Sequence, residues 1–560
     1  MGMRIKNHIV MKVLDYIKEA GCKDVNHKHI YENLRVFPCN ESDIKVTLQV
    51  SPLSCKFVKP YELRNIKRDS IIQDIFREPK GSNVSFLVEK SQFISSCLQE
   101  IQTLSFPTIP KERIVIDFSS PNIAKPFHIG HFRSTIIGNF IANLCCFLGN
   151  DVTRLNYLGD WGTQFGLLRI GLKFLEISEE QLKENPVQKL YDAYVKGNAL
   201  ADNSLALYQK AKEEFTSLER GSNPEIMASW AMFKQYTIDD LAKTYKRLNV
   251  NFDQYSWESD YAAFKIQHVL SRLIPLASER DNGLQVVVLD NGKEAPILKS
   301  DDSTLYLTRD IAAAIDRYEK YNFSAMLYVV DRNQAEHFGS LFKILEKLDY
   351  PWAKNLVHVQ FGRVRKMSTR KGEVVFLTDI LDQAKELMIQ RQKQTSTTKD
   401  LSFSNSDDLG ISALIVHDLK HKRNADFDFK WSEVLKFEGD GGLKLQYTHC
   451  RLVSLREKVD LSLPSQCDPS VLTEPEAVAL VAQIAAFDDA IIRAYYSLEA
   501  NVLVHYLFQL SNCTNRCLKV LRVKDEPPDI ACQRLLLFHT AELVLKQGMK
   551  LLGLKPLDCM

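Results

Sequence analysis

Two short stretches of this 560-residue chain carry side chains suited to holding phosphate. The first is Pro126-Phe-His-Ile-Gly-His131, which follows the apolar run Arg113 to Phe118 and opens a long helical pattern. A helix N-terminus presents N–H groups without intrahelical partners and the positive end of the helix dipole, so it draws phosphate oxygens. His128 and His131, three residues apart, share one face of such a helix, and Gly130 lets a nucleotide lie against the backbone. Taken alone, two histidines at this spacing are more often plain surface residues at a helix start. A zinc site fits worse, because the metalloprotease motif spaces its histidines four apart and adds a glutamate that is absent here.

The second stretch is Lys366-Met-Ser-Thr-Arg-Lys-Gly372, just beyond a strand candidate, with Lys366, Arg370 and Lys371 as cations. Displacing pyrophosphate builds negative charge on the leaving group. Cations on a loop stabilise that charge selectively in the transition state. A basic loop seen by itself is ordinarily just solvated.

These residues need a scaffold that sets them at one edge. Arg113-Ile-Val-Ile-Asp-Phe118 reads as a buried strand that leads through Ser-Ser-Pro into the helix. Asp151 to Tyr157, Met326 to Asp331 and Leu356 to Phe361 are further strand candidates separated by helical stretches. That rhythm predicts an α/β catalytic domain on a Rossmann-like, doubly wound parallel sheet, covering residues 109–392. A mainly helical insertion at about 167–307 includes a strand pair around Asp290-Asn291-Gly292. Residues 1–108 mix strand and helix patterns and end at the prolines of Phe106-Pro-Thr-Ile-Pro110, an α+β accessory domain. The polar stretch 393–409 reads as a linker, and the helical periodicity of 410–560 as a C-terminal bundle.

Composition narrows the function. With 72 Lys+Arg against 70 Asp+Glu there is no global basic signal, so any RNA contact comes from local patches. No apolar run approaches the roughly 20 residues of a membrane span, which excludes an integral membrane protein. The 12 cysteines form no Cys-x-x-Cys pair, so neither structural zinc nor a disulfide framework is expected. Met1 to Leu14 carries Arg4, Lys6 and Lys12 with no acid before Asp15, a faint targeting signature. The preferred reading is an ordinary amphipathic helix built on Ile9, Val10, Val13, Leu14 and Ile17.

A strand, a His-x-Gly-His helix start and a later Lys-Met-Ser loop together resemble the two signatures of class I aminoacyl-tRNA synthetases. The longer strings Phe118-Ser-Ser-Pro-Asn-Ile-Ala-Lys-Pro-Phe-His-Ile-Gly-His131 and Leu155-Asn-Tyr-Leu-Gly-Asp-Trp-Gly-Thr-Gln-Phe-Gly166 are similar to the arginine-specific family. The likeness continues through Tyr306-Leu-Thr-Arg-Asp310, Leu445-Gln-Tyr-Thr-His-Cys-Arg451 and Gly548 to Met560, and so covers roughly residues 110 to 560. It departs at Thr369, where the family's Lys-Met-Ser-Lys-Ser loop has a second lysine; Arg370 or Lys371 supplies that charge.

The resemblance implies an arginine–tRNA ligase using ATP, with Mg2+, acting on L-arginine and tRNA(Arg). It implies catalytic roles for His128, His131, Lys366 and Arg370, and ATP contacts from His128, Gly130, His131, His337, Lys366, Met367 and Ser368. It places arginine against Asp117, Asn122, Tyr306, Asp310 and Gln334, with Asp310 on the guanidinium. The residue-level alternative for Asp310 is a helix cap or a surface ion pair. Tyr447, Arg451 and Met560 are the implied anticodon contacts, and the N-terminal domain the implied contact to the tRNA elbow. A monomer in the mitochondrial matrix is expected, with the cytoplasm as the alternative, because the compact C-terminal segment around Lys524 to Asp529 looks like the mitochondrial branch. Two competitors remain: another nucleotidyl transferase of this fold, and a noncatalytic tRNA-binding relative.

Overall fold

The computed structural model describes the chain apart from residues 1–2, 22–24, 38–43, 51–61, 79–82, 102–109, 124–126, 263–265, 301–303, 366–375, 395–403 and 437–438. It has two compact units. One comprises Pro110–Gln383 with Arg423–Lys430, the other Met1–Ile109, Ala384–Lys422 and Trp431–Met560.

The first unit is built on a five-stranded parallel sheet. Across the sheet the strands run Leu356–Phe361, Ala325–Asp331, Arg113–Asp117, Asp151–Leu158 and Gln254–Trp257. Ile114, Val115, Ile116 and Asp117 are all buried, as expected for a strand covered on both faces. Chain order reverses between Arg113–Asp117 and Ala325–Asp331, which makes their carboxyl ends the switch point where such sheets bind ligands. The Ile129–Phe147 helix drops closely onto the end of Arg113–Asp117. A Cβ at Gly138 would lie 2.2 Å from the Phe118 ring, so this approach needs glycine.

The edge strand Gln254–Trp257 corrects the sequence reading, which places these residues inside the helical insertion. The strand is four residues long and half exposed, so neither an apolar run nor an alternation marks it. The long helices Pro186–Asp202, Leu205–Glu219 and Pro224–Arg247 precede it. They share a core with Trp161, Phe165 and Leu168. Gln285–Val288 and Glu294–Leu298 pair antiparallel across the turn, where Gly292 takes φ +77°.

In the second unit, a four-stranded antiparallel sheet has Leu34–Phe37 at one edge, followed by Ile44–Leu48, Val84–Val88 and Ile72–Arg77. Its bundle contains Gly442–Lys458, Pro475–Ala485, Phe487–Ser497, Ala500–Val520 and Pro528–Leu551. The amphipathic N-terminal helix forms at Met3–Glu19, with Ile5, Ile9, Val10, Val13, Leu14 and Ile17 buried. On its face Lys6 is fully buried, and its Nζ meets Asp489 Oδ1 at 2.5 Å. The other oxygen of Asp489 accepts the Val36 N–H at 3.0 Å. Lys6→Ala leaves a buried carboxylate without its cation and should cost about 3–5 kcal/mol. Lys6→Met combined with Asp489→Leu should recover most of that loss. Urea unfolding of the three proteins checks it, and a single-variant loss under about 1 kcal/mol would show that the pair does not stabilise the unit.

Candidate active site

Sheet topology gathers the sequence candidates at one edge. The segments holding Asp117 to His131, Gly159 to Gly162, Glu258 to Ser259 and Gln334 to His337 each follow the carboxyl end of a different strand. The Leu356–Phe361 strand leads likewise toward the 366–375 segment.

After Asp117 the backbone enters the left-handed region at two consecutive non-glycine residues, Ser119 (φ 76°) and Ser120 (φ 45°). Such residues cost of order 1–3 kcal/mol each and persist where the surroundings over-determine them. Here Ser119 N–H donates to Ser134 Oγ at 2.9 Å, and its hydroxyl lies 2.7 Å from Tyr245 Oη. Ser120 N–H donates to Asn156 Oδ1 at 3.0 Å, while its hydroxyl donates to Asp117 Oδ1 at 3.0 Å. The turn fixes Asn122, which bridges in parallel to Gly159. A Cβ at Gly159 would lie 1.9 Å from Asn122 Oδ1, so glycine there makes room for the amide.

His128 is the N-cap of Ile129–Phe147, and the two histidines form a reciprocal capping box. His128 Nδ1 accepts the Gly130 N–H at 3.1 Å, and His131 Nδ1 accepts the His128 N–H at 3.5 Å. The rings stack with centroids 4.0 Å apart. Both Nδ1 atoms face a backbone N–H, so a neutral imidazole at either position carries its proton on Nε2. A Cβ at Gly130 would come 2.9 Å from His128 Cε1 and push the ring off its cap.

Lys366, Met367, Ser368 and Arg370 lie outside the described residues, but the segment's flanks are tied to the histidine helix. Leu377 N–H donates to the Phe127 carbonyl at 2.7 Å. On the other side, Arg133 donates to the carbonyls of Gly362 at 2.6 Å and Ala425 at 3.0 Å and lies over the Phe427 ring. Val364–Arg365 pairs in parallel with Phe427–Asp428.

The expected arginine pocket is an acidic cluster. Asp310 lies one turn into the Tyr306–Tyr321 helix, whose N-cap is Leu305, so its residue-level alternative as a cap is excluded. Its Oδ2 instead lies 2.7 Å from His337 Nε2, with both side chains one quarter exposed. Its charge is felt at Asp117, Tyr157 and Glu258. Asp117 is buried and engaged by Arg317 at 3.0 Å. Burial works against the Arg317 cation, but Asp117 together with Tyr328, Tyr261 and Tyr157 outweighs it and raises its pKa. Tyr306, more than half exposed, lies under the Arg309 guanidinium, and Gln334 is exposed at the end of a short turn.

Sequence reasoning missed Glu258. It is buried against Arg309, with guanidinium nitrogens at 2.7 and 2.8 Å. Burial pushes its carboxyl up to about 7; Arg309 opposes the shift, and Asp310 and Asp160 add to it. Asp160, fully buried, accepts from Ser259 N–H at 2.9 Å and Ser259 Oγ at 2.7 Å, and pairs with Lys234 at 3.0 Å. Lys234 in turn lies between the Trp230 and Trp257 rings, about 4 Å from each. The Gly-Asp-Trp-Gly string thereby holds the turn that carries Glu258. Among the described residues, the buried hydroxyls of Tyr157 and Ser256 on adjacent strands have no hydrogen-bond partner.

In the second unit, Tyr447 is exposed with the Arg451 guanidinium 5.8 Å from its ring centre, and Arg451 donates to Asn515 at 2.5 Å. The chain's last residues dock on the same helix. Gln446 exchanges hydrogen bonds with Lys555 and Leu557, and His449 Nδ1 lies 2.8 Å from the Leu557 carbonyl. Met560, three residues on, is partly exposed.

A parallel sheet presenting a His-x-Gly-His helix start at its switch point, in a chain whose sequence runs on from the Leu356–Phe361 strand into a Lys-Met-Ser segment, defines a class I aminoacyl-tRNA synthetase catalytic domain. Residues 94–431 match the family model described as tRNA synthetases class I (R), catalytic domain, and residues 445–560 match the DALR anticodon binding domain. The chain belongs to the arginyl-tRNA synthetase family, whose members are aminoacyl-tRNA ligases. It is 40% identical over 508 residues to the probable mitochondrial arginine–tRNA ligase of Bos taurus, covering 88% of this chain and 87% of that one. In Saccharomyces cerevisiae the mitochondrial arginine–tRNA ligase is 41% identical, over 86% of this chain and 78% of its own, and the cytoplasmic enzyme 40%, over 81% and 77%. The fold is shared with the solved arginyl-tRNA synthetase of Thermus thermophilus, at 20% identity and a TM-score of 0.81 over 99% of this chain and 100% of that one.

Proposed function

We propose that the chain activates L-arginine with ATP and then esterifies it to the 3′-terminal adenosine of tRNA(Arg). The observation that carries this reading is the pair of ties between the flanks of the 366–375 segment and the histidine helix, at Leu377–Phe127 and Arg133–Gly362. An arginine carboxylate oxygen attacks the α-phosphorus of ATP, and the bond to the β-phosphate's bridging oxygen breaks. Pyrophosphate leaves with the electron pair. His128 and His131 donate from Nε2 to the phosphates, Gly130 admits the nucleotide, and Lys366 with Arg370 neutralises the leaving group. Met367 and Ser368 belong to the same ATP-facing segment, and His337 meets the adenosine. A ribose hydroxyl of the tRNA then attacks the adenylate carbonyl, loses its proton and displaces AMP. No protein nucleophile is required.

Arginine is selected by charge. Asp310 faces the guanidinium with Glu258 beside it, Tyr306 lines the slot, and Asn122, Gln334 and the Asp117 side of the pocket hold the amino-acid end. Magnesium enters with the ATP substrate, held through its phosphates. Residues 109–392 act as the catalytic domain. Residues 410–560 bind the anticodon loop through Tyr447, Arg451 and Met560, by stacking and phosphate contact. Residues 1–108 meet the tRNA elbow. The protein works in the mitochondrial matrix, a reading supported by the names of several relatives, and it works there as a monomer, on which those names are silent.

Arginine-dependent ATP–pyrophosphate exchange, run with and without tRNA, tests the assignment, followed by arginylation of separate mitochondrial and cytosolic tRNA pools. Exchange with arginine and tRNA together, and charging of the mitochondrial pool, are the expected results. Exchange indifferent to arginine would point to another nucleotidyl transferase, and tRNA binding without exchange to a noncatalytic relative.

A further inference from the structure

In the second unit a cavity of about 1080 Å³ lies between the edge strand Leu34–Phe37 and the helices Pro475–Ala485, Phe487–Ser497 and Ala500–Val520. One wall is a polar stripe. Asn501, His505, Gln509, Asn512 and Arg516 recur at intervals of three and four, and so line one face of their helix over about 22 Å. On the other walls stand Arg35 and Arg493, and the exposed Phe37 ring lies at the rim.

The charge of this cavity is positive. Against Arg35, Arg493 and Arg516 stand Asp489 and Glu476, and Asp489 is already taken by Lys6 and the Val36 N–H. Burial lowers the pKa of Arg35 most, and Arg493 lowers it further, while Asp489 and Glu32 oppose the shift. Amides offering both donors and acceptors, an exposed ring, and spaced guanidiniums are the chemistry that holds single-stranded nucleic acid.

We infer that this cavity is an RNA-binding cleft, distinct from the Tyr447–Arg451 face, in which Arg35, Arg493 and Arg516 take backbone phosphates of the tRNA and the amide stripe meets its sugars and bases. The inference rests on the tRNA-ligase reading above. Its test is tRNA(Arg) affinity measured against salt, using the full chain and the Arg493→Gln/Arg516→Gln double variant, both sites being exposed. Each lost phosphate contact lowers the log–log salt slope by about 0.7–0.9, so the double variant should lose about 1.5 in slope and about tenfold in affinity near physiological salt. Arginine-dependent pyrophosphate exchange at saturating tRNA should be unchanged. A Gln509→Ala/Asn512→Ala variant should weaken binding without changing the slope. An unaltered slope and Kd in the arginine variant would overturn the cleft while leaving the ligase reading intact. Tight AMP or inorganic phosphate binding that the arginine variant loses, with tRNA affinity unchanged, would also overturn it in favour of a small-anion site. Absence of arginylation by the wild type would instead sink the ligase reading, and tRNA binding would still be read separately.

Discussion

His128→Ala and His131→Ala each lower arginine-dependent pyrophosphate exchange, with tRNA present, by about 10²–10³-fold, while tRNA affinity changes little. In the proposed mechanism each ring contributes one Nε2 donor to charge that develops on phosphate, and loss of one such preorganised contact is worth roughly 3 kcal/mol in the transition state. The capping geometry adds a separate effect. His128 holds the Gly130 N–H, so its removal also weakens the helix start by about 1 kcal/mol. That term acts on stability and not on rate, and His128→Asn separates the two. Asparagine restores a capping acceptor but is too short to place a donor where Nε2 stands. His128→Asn should therefore melt like the wild type and exchange as slowly as His128→Ala. Normal exchange by a folded alanine variant would remove that residue from the phosphate site.

How far the site could be read in advance depends on how local its physics is. The placement of His128 and His131 at a helix start was legible because the strand, turn and helix pattern around them is local in sequence. Of the four strand candidates, Arg113–Asp117 and Ala325–Asp331 were legible as apolar runs because their central residues are buried on both faces. Gln254–Trp257 was not, being a short, half-exposed edge strand whose assignment depends on its partner Asp151–Leu158. Glu258 was hidden for the same reason: its environment comes from Arg309, 51 residues away, and from Asp310 and Asp160 on other elements. The association of the N-terminal helix with the C-terminal bundle rests on Lys6 and Asp489, 483 positions apart, where no periodicity could announce it. Asp310 was found from its motif, but the choice among guanidinium ligand, cap and ion pair needed three dimensions. Leu305 at the N-cap removed one option, and the His337 contact shows that the carboxylate already has a hydrogen-bonding neighbour.

Asp310→Asn should erase most of the discrimination between arginine and citrulline, whose urea nearly matches the guanidinium in shape but carries no charge. Asparagine keeps the side chain's size and one acceptor oxygen, so the contact to His337 Nε2 persists and the pocket's packing is undisturbed. What disappears is the negative charge and one of two acceptors. Arginine should lose about 3–5 kcal/mol of activation free energy, part of which is the penalty of leaving its cation without a partner, whereas citrulline should lose far less. The measurement is competitive activation of the two amino acids by wild type and variant with tRNA present. His337→Ala serves as the companion variant: it removes the neighbour and leaves the carboxylate, so the preference for arginine should survive. If Asp310→Asn retains the wild-type preference, the selecting charge lies elsewhere, and the geometry favours Glu258 over Asp117. Both carboxylates hold a guanidinium and feel the charge of Asp310, but both oxygens of Asp117 are engaged, by Ser120 and Arg317, whereas the Arg309 contacts of Glu258 both fall on Oε1. Glu258→Gln then becomes the variant in which arginine and citrulline should converge.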